Sequence, residues 1–166
     1  MYVDLIKKRD EKLAERLKTL GFSDIFYIEK DIIKEISDTA PFDLKLYDGK
    51  DYEFVIQKGK ADAITDLDKN GFLLNKGLCS KLKENGMFVI FKLKSLVESD
   101  EFFRTYKNFL INGRLCNDYS VHTLYVSFAG DIDDVKSPIQ LISFAENFGY
   151  NYSNYIKSVE ALLKRK

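Results

Sequence analysis

The sequence is poor in the residues that build most metal and nucleophile centres. It has two cysteines, Cys79 and Cys116, and a single histidine, His122. The cysteines fit no zinc spacing and are too few for a disulfide framework. Both fall on apolar helix faces, where buried free thiols are expected. One histidine directly before a strand pattern is expected in a turn or strand-edge role; a His-based metal site, a Cys–His pair or a Ser-His-Asp triad would need further partners to converge on it. No G-x-G-x-x-G or G-x-x-x-x-G-K-S/T phosphate loop occurs, and no G-x-S-x-G elbow. No apolar run approaches the roughly 18 residues of a membrane span. The opening MYVDLIKKRDEK lacks the apolar core and cleavage site of a signal peptide. A soluble, unexported protein is expected.

Net charge is lacking too: 26 Lys and Arg balance 26 Asp and Glu. A global electrostatic argument for nucleic acid therefore fails. The distribution is uneven, because Lys69–Asn117 holds nine Lys/Arg against four Asp/Glu. A locally basic middle allows one polyanion-facing surface without requiring it. Linkers, internal repeats and low-complexity stretches are absent, and 166 residues with 45% hydrophobic content suit one domain, residues 1–166, able to bury its own core.

What is present is an alternation of strand and helix patterns. Strands are expected at Tyr2–Ile6, Asp24–Glu29, Phe42–Tyr47, Ala61–Leu67, Met87–Leu93 and Thr123–Ala129. Helices are expected at Asp10–Leu20, Asp31–Ala40 (Ile32, Ile33 and Ile36, stopped by Pro41), Asp51–Lys58, Leu73–Glu84, Asp100–Asp118, Ser137–Phe148 and Asn151–Lys164, the last expected to end in a short strand. Ser137-Pro138 is an N-cap followed by Pro at the first helical position. Repeated βαβ units imply a parallel sheet, either an open doubly wound one or a barrel. The expectation is an α/β, TIM-barrel-like repeat, compressed or incomplete, with six or seven parallel strands and helices outside; a full barrel takes about 250 residues. Leu74, Leu78, Leu82, Phe109 and Leu141 should face the sheet. The helix at Asp100–Asp118 is expected to bury a stripe of Phe102, Phe103, Tyr106, Phe109 and Leu110. Most of the ten Tyr and thirteen Phe then belong to an aromatic core rather than to an exposed stacking platform.

Two groups of charged residues merit notice. Asp66 and Asp68 follow one strand, and Asp131, Asp133 and Asp134 follow another. On a barrel both would sit at the C-terminal rim, where carboxylates can hold Mg²⁺ or simply accept backbone N–H bonds in turns. Lys92 and Lys94 end the MFVIFKL strand, Arg104, Lys107 and Arg114 belong to the helix after it, and Lys136 precedes the next helix start. Such cations at edges suit phosphate contacts, and they are expected to line up along one edge of the fold.

From Ala61 to about Val159 an ordered set of short motifs appears. Gly77-Leu78 and Lys81-Leu82 lie in one helix, and Phe91-Lys92-Leu93-Lys94-Ser95-Leu96 ends the next strand. A long basic helix, Phe102–Tyr119, leads to Leu124-Tyr125-Val126-Ser127-Phe128-Ala129. Lys136-Ser137-Pro138, Leu141-Ile142 and Phe148-Gly149 follow. In order and spacing this resembles the archaeal ribonuclease P protein component 3 family, related to the eukaryotic 30-kDa-type subunit, and Met1–Leu5 with Asp4 is similar to its opening strand. Phe128 stands where a second small polar residue is usual, Lys136 where Arg is, and Gln140 where an acid is. The resemblance implies a barrel related to the PHP phosphoesterases but without their metal-ligand set. It implies a subunit of an endoribonuclease that removes the 5′ leader of precursor tRNA in the cytoplasm. The isolated chain would be non-catalytic and bind no cofactor itself, with Mg²⁺ acting through the RNA subunit. Implied partners are ribonuclease P RNA, the ferredoxin-like component 2, other ribonuclease P proteins and precursor tRNA, with no membrane. RNA contacts are expected from Lys92, Lys94, Arg104, Lys107, Arg114, Lys136 and Ser127. Two other readings are a metal-dependent phosphoesterase or other small-molecule enzyme using the Asp66/Asp68 and Asp131/Asp133 rim, and an interaction module with no nucleic-acid role.

Overall fold

The computed structural model describes residues 2–36 and 43–165. Seven strands follow one another around a nearly closed barrel: β1 (Val3–Ile6), β2 (Asp24–Glu29), β3 (Ile32–Glu35), β4 (Asp43–Tyr47), β5 (Ala63–Thr65), β6 (Phe88–Lys92) and β7 (His122–Val126). Six of them run in one direction. Only β3 runs the other way, paired antiparallel to both β2 and β4. The helices are α1 (Glu11–Thr19), α2 (Tyr52–Lys58), α3 (Lys76–Glu84), α4 (Leu93–Val97), α5 (Phe102–Asp118), α6 (Pro138–Glu146) and α7 (Tyr152–Leu163). The fold is TIM-barrel-like, with most strands parallel and the helices outside.

The antiparallel β3 occupies part of the segment expected to be helical at Asp31–Ala40. Its cause is local. Lys30 (φ 50°) and Asp31 (φ 63°) both adopt the left-handed region. Glu29 pairs with Ile32 across them, so they form a two-residue hairpin of the type whose twist matches the strands. Ile33 then faces the barrel core rather than a helix stripe. Pro41, expected as a helix stop, lies outside the described residues, as does Phe42 at the start of the expected third strand. No strand follows α7 among the described residues.

Alternation along the strands divides the apolar side chains into two layers. Val3, Leu5, Phe26, Ile33, Ile90, Leu124 and Val126 surround the barrel axis. Ile6, Ile25 and Tyr27 point outward under α1, whose Leu13, Ala14 and Leu17 cover them. Leu74, Leu78, Leu82, Phe109 and Leu141 are all buried. So are Cys79 and Cys116, as free thiols on neighbouring helices.

The last gap, between β7 and β1, is closed by a side chain. The buried Asp4 carboxylate accepts N–H bonds from Ser127 (2.8 Å) and Leu5 (2.9 Å) and the Ser127 hydroxyl. One backbone bond supplements it, Lys7 N–H to the Ala129 carbonyl at 3.0 Å.

At the N-terminal mouth α7 acts as a stopper. The amide of Val3 donates to Tyr155 Oη (3.1 Å), and that of Thr123 donates to Ser158 Oγ (2.9 Å) and Tyr150 Oη (3.1 Å). Leu162 reaches the barrel interior. Arg165 bonds Asp62 at 2.9 Å, just before β5.

Candidate nucleic-acid interface

At the opposite mouth the C-terminal ends of β5, β6 and β7 bring charged side chains together. Lys92 shares the inward face of β6 with Phe88 and Ile90, so its ammonium rises into the barrel mouth. It meets Asp66 Oδ2 at 2.8 Å and lies 4.2 Å above the Phe128 ring. Ser95 Oγ donates to the other Asp66 oxygen at 3.0 Å. Both partners of this pair are nearly buried, at 6% and 15% side-chain exposure. A pair this dry owes its stability to both members, since removing one leaves an uncompensated charge.

The residues next to it are held in unfavourable backbone conformations. Asp66 (φ 58°) and Phe128 (φ 54°) both sit in the left-handed region. That region is uncommon for Asp and costly for a bulky aromatic. It is what turns Asp66 toward Lys92 and Phe128 over it.

Outside this plug lies a cleft of about 180 Å³ lined by Leu93, Lys94, Val97, Glu98, Ser127, Asp134 and Lys136. Lys94 is ion-paired with Asp134 and reaches Glu98 at 3.5 Å. The hydrogen bond to Asp134 pushes the Lys94 ammonium up from its ordinary value and holds the Asp134 carboxyl below its own. The Gly130 amide also donates to Asp134, at 3.0 Å. Asp131 instead caps the 3-10 turn Ile132–Asp134, accepting the amides of Asp133 and Asp134. Lys136 has no ion pair among the described residues. Ser137 and Gln140 complete a capping box at the start of α6, which uses the amides that would otherwise face an anion.

Asp68 takes no part in this rim. It is buried beneath α5, where Asn112 Nδ2 donates to it at 2.9 Å. Burial pushes its carboxyl up to about 7 against the opposing Asn112 bond, with a further upward contribution from the charge on Asp66. Burial likewise raises Asp4 to about 6, opposed by its hydrogen bonds from Ser127 and Leu5. His122 sits at the other mouth, stacked on Phe88 with ring centroids 5.3 Å apart, and burial lowers its pKa. Among the described residues no group of three His, Cys, Asp or Glu is placed to hold a metal ion.

The seven residues expected to touch RNA therefore divide. Lys94 and Lys136 line the cleft. Ser127 lines it too, but its hydroxyl is turned to Asp4. Lys92 is committed to Asp66 inside the mouth. Arg104 pairs with Glu101 and lies against the Gly71 turn. Lys107 and Arg114 stand on the outer surface of α5, away from the cleft. One continuous edge does not form.

Three further features escape a reading of the sequence. The run Lys7-Lys8-Arg9 leaves β1 at this same rim, with Lys7 beside Gly130; its three consecutive cations were the available signal. Asp4 closes the barrel onto Ser127 across 123 positions, and nothing local announces that. Finally, Phe102, Phe103 and Tyr106 do not form a buried stripe. They are exposed, while Thr105, Asn108, Asn112 and Gly113 fill the inner face of α5 alongside Phe109 and Cys116.

No helix among the described residues is long and apolar enough to cross a membrane. No protein-family model matches the chain, and no curated protein matches it.

Proposed function

We propose that the chain is a non-catalytic protein subunit of ribonuclease P, supporting RNA-catalysed removal of the 5′ leader from precursor tRNA in the cytoplasm. The ordered resemblance between Ala61 and Val159 suggests this reading, and the barrel agrees with it. The observation that carries it is the state of the rim. Lys94 and Lys136 line an open cleft, while Asp66, Asp131 and Asp134 are already bonded to lysines, a serine hydroxyl or backbone amides. A rim so arranged leaves Lys136 as the cleft's cation without an ion pair among the described residues, beside a Lys94 shared with Asp134 and Glu98, for positioning a phosphate backbone. On this reading Mg²⁺ reaches the scissile bond through the RNA subunit, and a ferredoxin-like component 2, other ribonuclease P proteins and precursor tRNA complete the assembly.

The test is reconstitution. Purified chain is combined with a ribonuclease P RNA and the candidate partner proteins, and precursor-tRNA cleavage is followed with and without each component. Cleavage should depend on the RNA subunit and be enhanced by the chain. Replacing Lys94, Lys107 and Lys136 by Ala should reduce assembly at moderate Mg²⁺ and shrink the salt dependence of binding by up to about three charges. Phosphodiester turnover by the isolated chain, lost in Asp66→Ala or Asp131→Ala, would overturn the proposal in favour of a phosphoesterase.

A further inference from the structure

We infer that the outer ridge of α5 is a stacking site for unpaired bases of a single-stranded nucleic acid. The inference deepens the proposed function by naming a second contact surface, and rests on it only for the identity of the polymer.

The ridge follows from helical geometry. Phe103, Lys107 and Arg114 recur at i, i+4 and i+11, which sets them on one line down a helix, with Leu110 between them partly buried against the core. That line is opposite the buried line of Thr105, Asn108, Asn112 and Cys116. Phe103 is 87% exposed, and Phe102 and Tyr106 beside it are 44% and 39% exposed. Burying rings of this size is worth about 1.5–3 kcal/mol each. Phe103 almost wholly in water, with Phe102 and Tyr106 partly exposed beside it, forms an apolar patch of the kind that marks an interaction site.

The rings are also held in place. Phe102 stacks on Tyr106 with centroids 5.9 Å apart and meets Phe103 edge-on at 5.7 Å, and Tyr106 is anchored against Phe148 at 5.5 Å. A ring already fixed loses less freedom when a base settles on it.

Charge decides the occupant. From Phe102 to Asn117 the helix carries no acid; Arg104 is paired with Glu101 just before it, and Lys107 and Arg114 stand on the ridge. Lys107 is about 6 Å along the axis from Phe103, and Arg114 about 10 Å further. Aromatic faces followed by cations along one line are the two elements by which proteins hold single strands, the rings taking bases and the cations taking phosphates. A purely apolar protein partner would leave Lys107 and Arg114 desolvated and unpaired.

The experiment measures fluorescence anisotropy of a labelled single-stranded oligoribonucleotide, and of its duplex, with the full chain across a salt series. The wild type should prefer the single strand. Phe103→Leu keeps an apolar side chain but removes the ring; it should weaken binding about 5- to 100-fold with the salt slope unchanged. Lys107→Gln with Arg114→Gln should instead lower the slope by about 1.4. These positions are exposed, so unchanged melting temperatures should show the variants folded. Equal binding by Phe103→Leu, no preference for the single strand, or no binding by the wild type would overturn the inference. So would sedimentation showing self-association that Phe103→Leu abolishes, which would make a second copy of the chain the occupant. The same variants in the precursor-tRNA assay separate the two proposals. A wild type that supports cleavage while Phe103→Leu binds normally would sink the ridge alone. A wild type that fails in cleavage yet loses oligonucleotide binding through Phe103→Leu would sink the ribonuclease P assignment alone.

Discussion

The two mouths of the barrel are built on opposite terms. At the N-terminal mouth α7 lies across the strand starts, and the amides there are met by neutral hydroxyls, those of Tyr155, Tyr150 and Ser158. Leu162 fills the space between. Little charge is buried, and the close contacts are neutral hydrogen bonds and apolar packing. At the C-terminal mouth a lysine and an aspartate are taken out of water together, two non-glycine residues hold left-handed backbone, and a cleft remains open. The first arrangement stabilises by burial and satisfied hydrogen bonds. The second spends stability on a fixed arrangement of charge, as active and binding surfaces on parallel barrels commonly do at this end.

Cutting into the stoppered mouth should give the largest loss. Leu162 is buried, so Leu162→Ala should cost about 4 kcal/mol through lost transfer energy and a residual cavity, read as a lower urea midpoint. A loss below about 1 kcal/mol would mean that α7 is not a structural plug. At the charged mouth, Lys92→Ala should cost about 3 kcal/mol, because Asp66 is left nearly buried without its partner. Combining Lys92→Met with Asp66→Asn should recover most of that loss. No recovery would show that Lys92 acts through packing on Phe128 rather than through its charge.

The comparison sharpens with pH. Asp4 and Asp68 have folded pKa values of about 6 and about 7, above the ordinary 3.8. Between pH 4 and 7 the native chain therefore holds protons that the unfolded chain has released. Their contribution to stability is full below about pH 4 and is lost as the pH rises through 6 and 7. Unfolding midpoints should fall between pH 5 and pH 7 by the equivalent of about 3–4 kcal/mol. Asp68→Asn keeps an oxygen for Asn112 but cannot titrate, and it should remove much of that slope. An undiminished slope in the variant would assign the effect elsewhere.

Much of this architecture was legible in the sequence because it is written in local signals. Ser137-Pro138 did start a helix, and Leu74, Leu78 and Leu82 did turn inward. The failures share a cause, which is tertiary context reversing a local preference. Lys30-Asp31 makes a tight hairpin without glycine or asparagine, so the isoleucines after it read as helical. On α5 hydropathy pointed the phenylalanines inward, but the loop after β5 demanded polar partners. Asn108 donates to the Asp68 carbonyl, and Asn112 serves Asp68, Phe72 and Leu74 together. Gly113 lies where an added Cβ would stand 2.8 Å from the Tyr125 hydroxyl. Those three inner positions, with the buried Thr105, rotate Phe103 into water. The cleft was only half legible. Lys94 and Lys136 are 42 positions apart and meet because β6 pairs with β7, whereas the burial of Lys92 depends on Asp66 and Phe128 from two other loops.

The smallest stability effect should come from the cleft lysine that has no ion pair. Lys136 lines the cleft without an ion pair among the described residues, so Lys136→Ala should change stability by less than about 0.5 kcal/mol. Lys94→Ala serves as its control, since it also frees Asp134 and Glu98. It should therefore weaken polyanion binding more than the loss of one cation would. The discriminating measurement is RNA affinity against salt. Loss of Lys136 alone should reduce the slope by about 0.7–0.9, one contact's worth, with the thermal midpoint unmoved. Lys94→Ala should lower affinity further, because two carboxylates released into the cleft would repel any phosphate drawn to Lys136. If both variants bind RNA as the wild type does, the cleft is a solvated seam between β6 and β7. The strained backbone at Asp66 and Phe128 would then serve the closure of the mouth, and any RNA contact would have to be sought on α5 or along Lys7-Lys8-Arg9.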